Sequence, residues 1–176
     1  MSTSTPKPSG PPAIETTRWR IDPARFSVEF HSPTFWGLMT VKGHFERYDG
    51  TLDLQSTPAI ELTIEAASLN TNNKMRDKHL RSDDFFNVTD HPQVRFVSDN
   101  ATLDSERLKV SGRLYAAGQS IPLTLDAELR CVGDELDIDA KTNADQRKLG
   151  MTPGTLGMIR TPSKLTVRGR LVQAAE

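Results

Sequence analysis

The chain has 176 residues, which is the usual size of a single domain. Its 22 Lys and Arg residues against 23 Asp and Glu residues give a net charge of −1, which excludes a strongly basic nucleic-acid-binding protein. A single cysteine, Cys131, excludes both an intrachain disulfide framework and a four-cysteine zinc site.

The N-terminal residues 1–16 are rich in Pro, Ser and Thr and predict a disordered tail. They lack the apolar run of a secretory signal, and no stretch of the sequence is long and apolar enough for a membrane-spanning helix. We therefore expect a cytoplasmic protein, which the unpaired Cys131 also fits. The ordered domain is expected to cover residues 17–173.

From residue 19 onward, apolar and polar residues alternate in one segment after another, which is typical of strands with one buried face. Asp49-Gly50 and Gly133-Asp134 predict hairpin turns between such strands. Many consecutive strands favour a closed antiparallel barrel or a sandwich, because closure removes exposed sheet edges. The apolar positions that lead these strands in chain order are Trp19, Phe26, Val41, Leu52, Ile60, Val94, Leu108, Ile121, Leu136 and Leu165.

The segment 71–86 interrupts this alternation. Its part 73–86 contains no β-branched residue and no glycine, so we predict a short helical insertion between strands. On a helix, Asp77 and Arg81 are four residues apart, as are His79 and Asp83. This spacing predicts ordinary salt links on an exposed helix surface rather than a catalytic group.

Several segments resemble the YceI family of lipocalin-like, polyisoprenoid-binding proteins: WRIDP at 19–23, FSVEF at 26–30, VKGHF at 41–45, RDKHLRSDDFF at 76–86, HP at 91–92, KLGMT at 148–152 and LGMI at 156–159. The run at 76–86 is the most specific of these. The resemblance covers about residues 17–173. It implies an all-β fold, namely an elongated eight-stranded antiparallel lipocalin-like barrel with one short helical insertion. It also implies a long apolar tunnel that holds a polyisoprenoid chain.

The function depends on whether the barrel interior is solid or hollow. Packed interiors are the norm, so the residues alone favour a solid core, whereas the family resemblance favours a tunnel. Small inward residues such as Gly43, Ala66 and Gly112 would leave space between larger ones. The predicted ligand-binding residues are Phe26, Phe30, Phe35, Trp36, Met39, Phe45, Ile64, Leu114, Leu125, Met151 and Met158, with Arg76 and Arg81 at a rim that contacts a polar head group.

The leading hypothesis is a non-enzymatic carrier that buries one long isoprenoid lipid, of polyprenyl or quinone type, or another long-chain lipid. One alternative is an enzyme that acts on a lipid or isoprenoid through Asp77, His79 and His91. The other is a ligand-free interaction module that uses the helical insertion. We expect no cofactor, no metal and no nucleic acid, since the four histidines lack ligand spacing. A transient membrane contact and, by family analogy, a homodimer are compatible with this hypothesis.

Overall fold

The computed structural model describes residues 13–34, 39–151 and 162–175. The elements in chain order are β1 Arg18–Thr34, β2 Met39–Phe45, β3 Tyr48–Asp53, β4 Ala59–Glu65, β5 Leu69–Asn70, α1 Lys74–Arg81, β6 Gln93–Asp104, β7 Arg107–Ala116, β8 Gln119–Val132, β9 Glu135–Ala144 and β10 Ser163–Gln173. Short 3-10 turns occupy Ala66–Ser68 and Gln146–Leu149. Within the described ranges, no helix has the length and apolar character to cross a membrane.

The strands form a closed antiparallel barrel with eight positions. β2 and β3 both pair with β1, so together they occupy one position of the ring. β5 pairs with β2 and β4 pairs with β3, so β5 and β4 together occupy the next position. The ring continues through β6, β7, β8 and β9 to β10, which pairs back onto β1. The ring is thus closed, which is one of the two architectures that the alternating sequence favoured. The predicted fold class is confirmed.

The barrel interior is divided into two halves of different packing. At the end that carries the hairpins 105–106 and 133–134, large side chains from several strands are fully buried and do not line the cavity described below. We call this the filled half, and its fully buried residues are Leu52, Leu108, Val110, Leu129 and Leu136. The opposite half lies next to α1 and contains the cavity described below.

Charged residues hold an irregular part of β1 beside the filled half. Between Ile21 and Phe26, β1 carries four residues that have no partner on β10. Arg25, within this insertion, donates to Asp22 at 2.6 Å and to Glu135 on β9 at 2.6 Å. Arg170 on β10 donates to Glu135 as well. This cluster therefore ties β1, β9 and β10 together where the strand pairing is interrupted.

Acid is expected to weaken this cluster. The hydrogen bonds from Arg25 and then Arg170 lower the pKa of Glu135 from 4.5 to about 2. A carboxylate whose pKa is lower in the folded state stabilises the fold above its unfolded pKa, and this contribution is lost as the pH falls through the folded pKa. We expect the Glu135→Gln variant to be less stable than the wild type at neutral pH. Its stability should also fall less steeply between about pH 5 and pH 2.

Denaturant unfolding at a series of pH values measures this difference. The matched control is Glu106→Gln, which removes an exposed carboxylate that makes no ion pair among the described residues. Parallel pH curves for Glu135→Gln and the wild type would contradict the assignment.

Two local predictions from the sequence are wrong. Asp49-Gly50 is not a turn: both residues lie inside β3, paired with Thr63 and Leu62 of β4. A Cβ at Gly50 would lie 2.8 Å from Ile21 Cδ1, so glycine is present because of close packing. In addition, the strand predicted at Val94 and Phe96 is much longer, since β6 extends to Asp104.

The predicted tail at 1–16 is only partly described, because residues 1–12 lie outside the described ranges. Residues 13–17 contact the barrel. Ile14 packs against the core, and the Glu15 carbonyl accepts a hydrogen bond from Trp19 Nε1 at 3.3 Å.

Candidate functional site

The half of the barrel next to α1 encloses a cavity of about 670 Å³. Strand residues that alternate with solvent-facing ones supply most of its wall, because every second side chain of a strand points to the same face. The apolar wall residues on the strands are Val28, Phe30, Val41, Phe45, Ile60, Leu62, Ile64, Val94, Phe96, Leu114, Ala116, Leu123, Leu125, Ile138, Ala140, Ala144, Leu165 and Val167. The cavity is therefore lined mainly by hydrocarbon.

The filled half forms the floor of this cavity. Leu125 lines the cavity, while its β7 neighbour Val110 is 1% exposed and does not line it. Four residues further along β8, Leu129 is completely buried. The space thus ends inside the barrel, so the described structure is a deep cavity with a closed floor rather than a tunnel through the barrel.

Helix α1 and the turn after it cover the cavity. Leu80, Phe85 and Phe86 face the interior, and the Phe86 ring meets the Phe45 ring edge-on with centroids 5.8 Å apart. Asn73 caps the N-terminus of the helix, because its side chain accepts a hydrogen bond from the Arg76 backbone N–H at 3.0 Å. The predicted helical insertion is confirmed, and it closes much of this end of the barrel.

The mouth of the cavity lies beside α1. His79 and Asp84 both line the cavity, yet their side chains are 57% and 61% exposed, so the interior meets solvent there. His79 Nε2 lies 3.6 Å from Asp84 Oδ2, and the imidazole packs edge-on against Phe85. Arg76 lines the same region. The mouth therefore combines three ionisable side chains with an aromatic edge.

The side chain of Arg76 donates hydrogen bonds to the hydroxyl and the carbonyl of Thr71. Its Nε donates to Thr71 Oγ1 at 2.8 Å and its Nη2 donates to the Thr71 carbonyl at 2.7 Å. No carboxylate among the described residues pairs with this guanidinium. Arg76 is thus held in place by Thr71 while it lines the cavity, and its remaining N–H groups have no carboxylate partner among the described residues.

The other charged helix residues predicted from sequence have structural roles. Arg81 donates to the carbonyls of Ala67 and Leu69 at 2.9 and 2.8 Å and is not among the described residues that line the cavity. Asp77 is buried and accepts hydrogen bonds from the backbone and hydroxyl of Thr71. The predicted Asp77–Arg81 surface ion pair is therefore wrong, and His79 contacts Asp84 rather than Asp83. The first error arises because Asp77 and Arg81 form hydrogen bonds with the segment 67–71, which helix spacing does not reveal.

A polar group interrupts the wall between β1 and β10. Ser163 donates its hydroxyl to Gln146 Oε1 at 3.0 Å, and Ser32 Oγ lies 2.6 Å from Ser163 Oγ. Since Ser163 donates to Gln146, Ser32 donates to Ser163. No sequence signal indicates this group, because Ser32 and Ser163 are 131 residues apart.

Many of the predicted apolar ligand residues are brought together. The cavity wall includes Phe30, Phe45, Ile64, Leu114, Leu125 and Met151. Phe26 is not among the described lining residues, and its ring packs 5.6 Å from Tyr48. Phe35, Trp36 and Met158 lie outside the described residues, as does the side chain of Met39. The sequence prediction omitted Leu80, Phe85 and Phe86, although the paired phenylalanines after a helix were a visible signal.

The residues proposed for catalysis do not converge. His79 lies at the cavity mouth, Asp77 is buried against Thr71, and His91 packs over Gly118 in a separate groove outside the cavity. Across residues 13–34, 39–151 and 162–175, no group of three or more His, Cys, Asp or Glu side chains is arranged to hold a metal ion.

Comparisons with known proteins agree with this geometry. The family model described as the YceI-like domain matches residues 19–171. Protein YceI of Shigella flexneri is 39% identical over 103 residues, which cover 56% of this chain and 54% of that protein. The match thus spans about half the length of the curated relative.

Solved structures share the barrel. A YceI protein of Campylobacter jejuni is 27% identical, with a TM-score of 0.62 over 79% of this chain and 88% of that one. Burkholderia cenocepacia BcnA is 18% identical, with a TM-score of 0.74 over 88% and 99%. A polyisoprenoid binding domain from Saccharophagus degradans, described as implicated in plant cell wall breakdown, is 14% identical, with a TM-score of 0.70 over 91% and 100%. The last two show the fold alone.

Proposed function

Because the chain belongs to the YceI-like domain family, we propose that it binds one isoprenoid-type lipid without catalysing a reaction. The apolar chain of the lipid occupies the cavity, and its polar end stays at the mouth beside Arg76, His79 and Asp84. The observation that carries this proposal is the apolar cavity of about 670 Å³ with a closed floor.

The cavity has the size and the wall that such a ligand needs. Binding sites for small organic molecules are usually about 300–1,000 Å³, mostly apolar and furnished with a few polar groups. Each CH₂ group removed from water contributes about 0.8 kcal/mol. About ten buried carbons thus gain roughly 8 kcal/mol before the cost of association is subtracted.

The choice of an isoprenoid among lipids draws on the structural neighbour from Saccharophagus degradans, which is described as a polyisoprenoid binding domain. The cytoplasmic location and the homodimer expected from the sequence stay predictions.

The polar end of the ligand is assigned to Arg76 rather than to Arg81. Arg76 lines the cavity, whereas Arg81 is not among the described lining residues and binds two backbone carbonyls. A guanidinium with free donors suits a phosphate or a carbonyl oxygen. The polar end of the lipid is therefore expected to be a hydrogen-bond acceptor.

Native mass spectrometry and titration calorimetry test the proposal. Farnesol and geranylgeraniol should form one-to-one complexes, and a straight-chain fatty alcohol of equal carbon number should bind more weakly. Absence of any complex with the prenyl alcohols would refute the proposed function, and equal binding of the straight chain would refute the isoprenoid preference.

A conservative substitution at Arg76, measured with a phosphate ligand and with an alcohol, tests its role. Arg76→Lys is expected to weaken binding of farnesyl phosphate about tenfold or more, because a charge-assisted hydrogen bond contributes roughly 1.5–3 kcal/mol. Its affinity for farnesol should change much less. His91→Ala, outside the cavity, is the matched control. An equal loss for both ligands would indicate that Arg76 acts only by holding Thr71.

A further inference from the structure

The outer side of α1 carries an unusual combination of residues next to the cavity mouth. Met75 is 85% exposed, far more than Tyr115 and Val132, the other exposed large apolar residues of the described chain. Lys74 and Lys78 are exposed on the same side, since residues four apart on a helix are neighbours. We call Lys74, Met75 and Lys78 the lysine–methionine face.

We propose that the lysine–methionine face docks on the anionic surface of a lipid bilayer. The inference rests on the proposed function, because a protein that takes up a lipid must collect it from such a surface. The docking itself requires only residues of α1.

Charge complementarity supports this occupant. Lys74 and Lys78 make no ion pair with any described residue, so both ammonium groups are available to lipid phosphates. Each lysine near an anionic membrane surface strengthens binding about fivefold. Between them, the exposed thioether side chain of Met75 can enter the boundary between head groups and acyl chains, where flexible apolar side chains are favoured.

The position of the lysine–methionine face also supports docking on a bilayer. His79 follows Lys78 directly, at the edge of the exposed side of α1, and it lines the cavity together with Arg76 of the inner side. The docked face and the cavity mouth are therefore adjacent on one short helix. A bilayer bound at Met75 would bring the mouth to the level of the head groups, and a lipid chain could pass inward without crossing bulk water.

Co-sedimentation of the full chain with vesicles tests the docking. We expect binding to phosphatidylcholine vesicles that contain phosphatidylglycerol, weaker binding to pure phosphatidylcholine, and a decline with added salt. Lys74→Ala/Lys78→Ala should lower the affinity for the anionic vesicles about thirtyfold. Met75→Ser should lower it on both kinds of vesicle.

The matched control is Arg107→Ala/Lys109→Ala, which removes two exposed cations from β7 at the filled end. Undiminished vesicle binding by the α1 variants, or an equal loss in the control, would overturn the proposal. Failure of the wild type to bind anionic vesicles would overturn it as well. If such a wild type self-associates in sedimentation experiments and the α1 variants do not, the face belongs to a second copy of the chain.

The docking and the proposed function are separated by measuring farnesol binding without vesicles. Lys74→Ala/Lys78→Ala should bind farnesol as the wild type does, because neither lysine lines the cavity. A wild type that binds anionic vesicles but takes up no prenyl alcohol would refute the proposed function and leave the docking supported. The reverse result would refute the docking alone.

Discussion

We expect the Ala140→Phe variant to keep its fold and to lose most of its affinity for prenyl alcohols. Ala140 lines the cavity near its floor, so a phenyl ring at this position can enter empty space. The ring would then displace part of the ligand chain. Displacing about three CH₂ groups costs roughly 2.4 kcal/mol, or about fiftyfold in affinity. Calorimetry with geranylgeraniol measures the loss, and circular dichroism monitors the fold.

The control is the same substitution in the filled half. Ala101 is 4% exposed and is paired with the fully buried Val110, so Ala101→Phe has no space to occupy. It should lower stability by about 1–3 kcal/mol or more, since overpacked cores strain their neighbours. Unchanged binding by a folded Ala140→Phe variant would show that the cavity does not hold the ligand.

We expect alanine substitutions at two leucines of β8 to differ strongly in their effect on the stability of the protein. Leu129 is completely buried in the filled half, and Leu129→Ala should destabilise the protein by about 3–5 kcal/mol because it creates a new void among packed side chains. Leu123 faces the existing cavity, where it has fewer packing partners to lose. Leu123→Ala should therefore cost only about 1–2 kcal/mol. Denaturant unfolding of the ligand-free protein measures both values.

The comparison also tests the division of the barrel. Equal losses of stability for the two variants would mean that both halves are packed alike. If the division is correct, adding a prenyl alcohol should raise the stability of the wild type and of Leu129→Ala by similar amounts. The reason is that the ligand contacts neither Leu129 nor its neighbours in the filled half.

Alternation of apolar residues predicted antiparallel strands in a closed barrel or a sandwich, and the resemblance to the YceI family indicated the barrel. The alternation placed Phe30, Ile64 and Leu114 on inward faces, and the structure has them there. Alternation alone cannot separate a filled interior from a hollow one, because Val110 and Leu125 follow the same pattern on neighbouring strands. Their difference depends on which side chains oppose them across the barrel, and that depends on strand register and tilt.

The helix illustrates a different limit. Its existence followed from composition, but the partners of Asp77 and Arg81 did not. Both side chains bind backbone or hydroxyl groups of the segment 67–71, which contains the short strand β5 and precedes the helix. Such partners depend on the tertiary structure, so the spacing of residues along the helix does not predict them. Spacing on a helix therefore predicted ion pairs where the structure has hydrogen bonds to the main chain.

The closed floor has a kinetic consequence. In the part of the chain that the structure describes, a lipid cannot leave through the closed floor and must depart on the side of the mouth beside α1. An incoming lipid therefore cannot push out the resident one from behind. Replacement is then limited by spontaneous departure of the resident lipid. Its rate should be first order and independent of the concentration of the competing lipid.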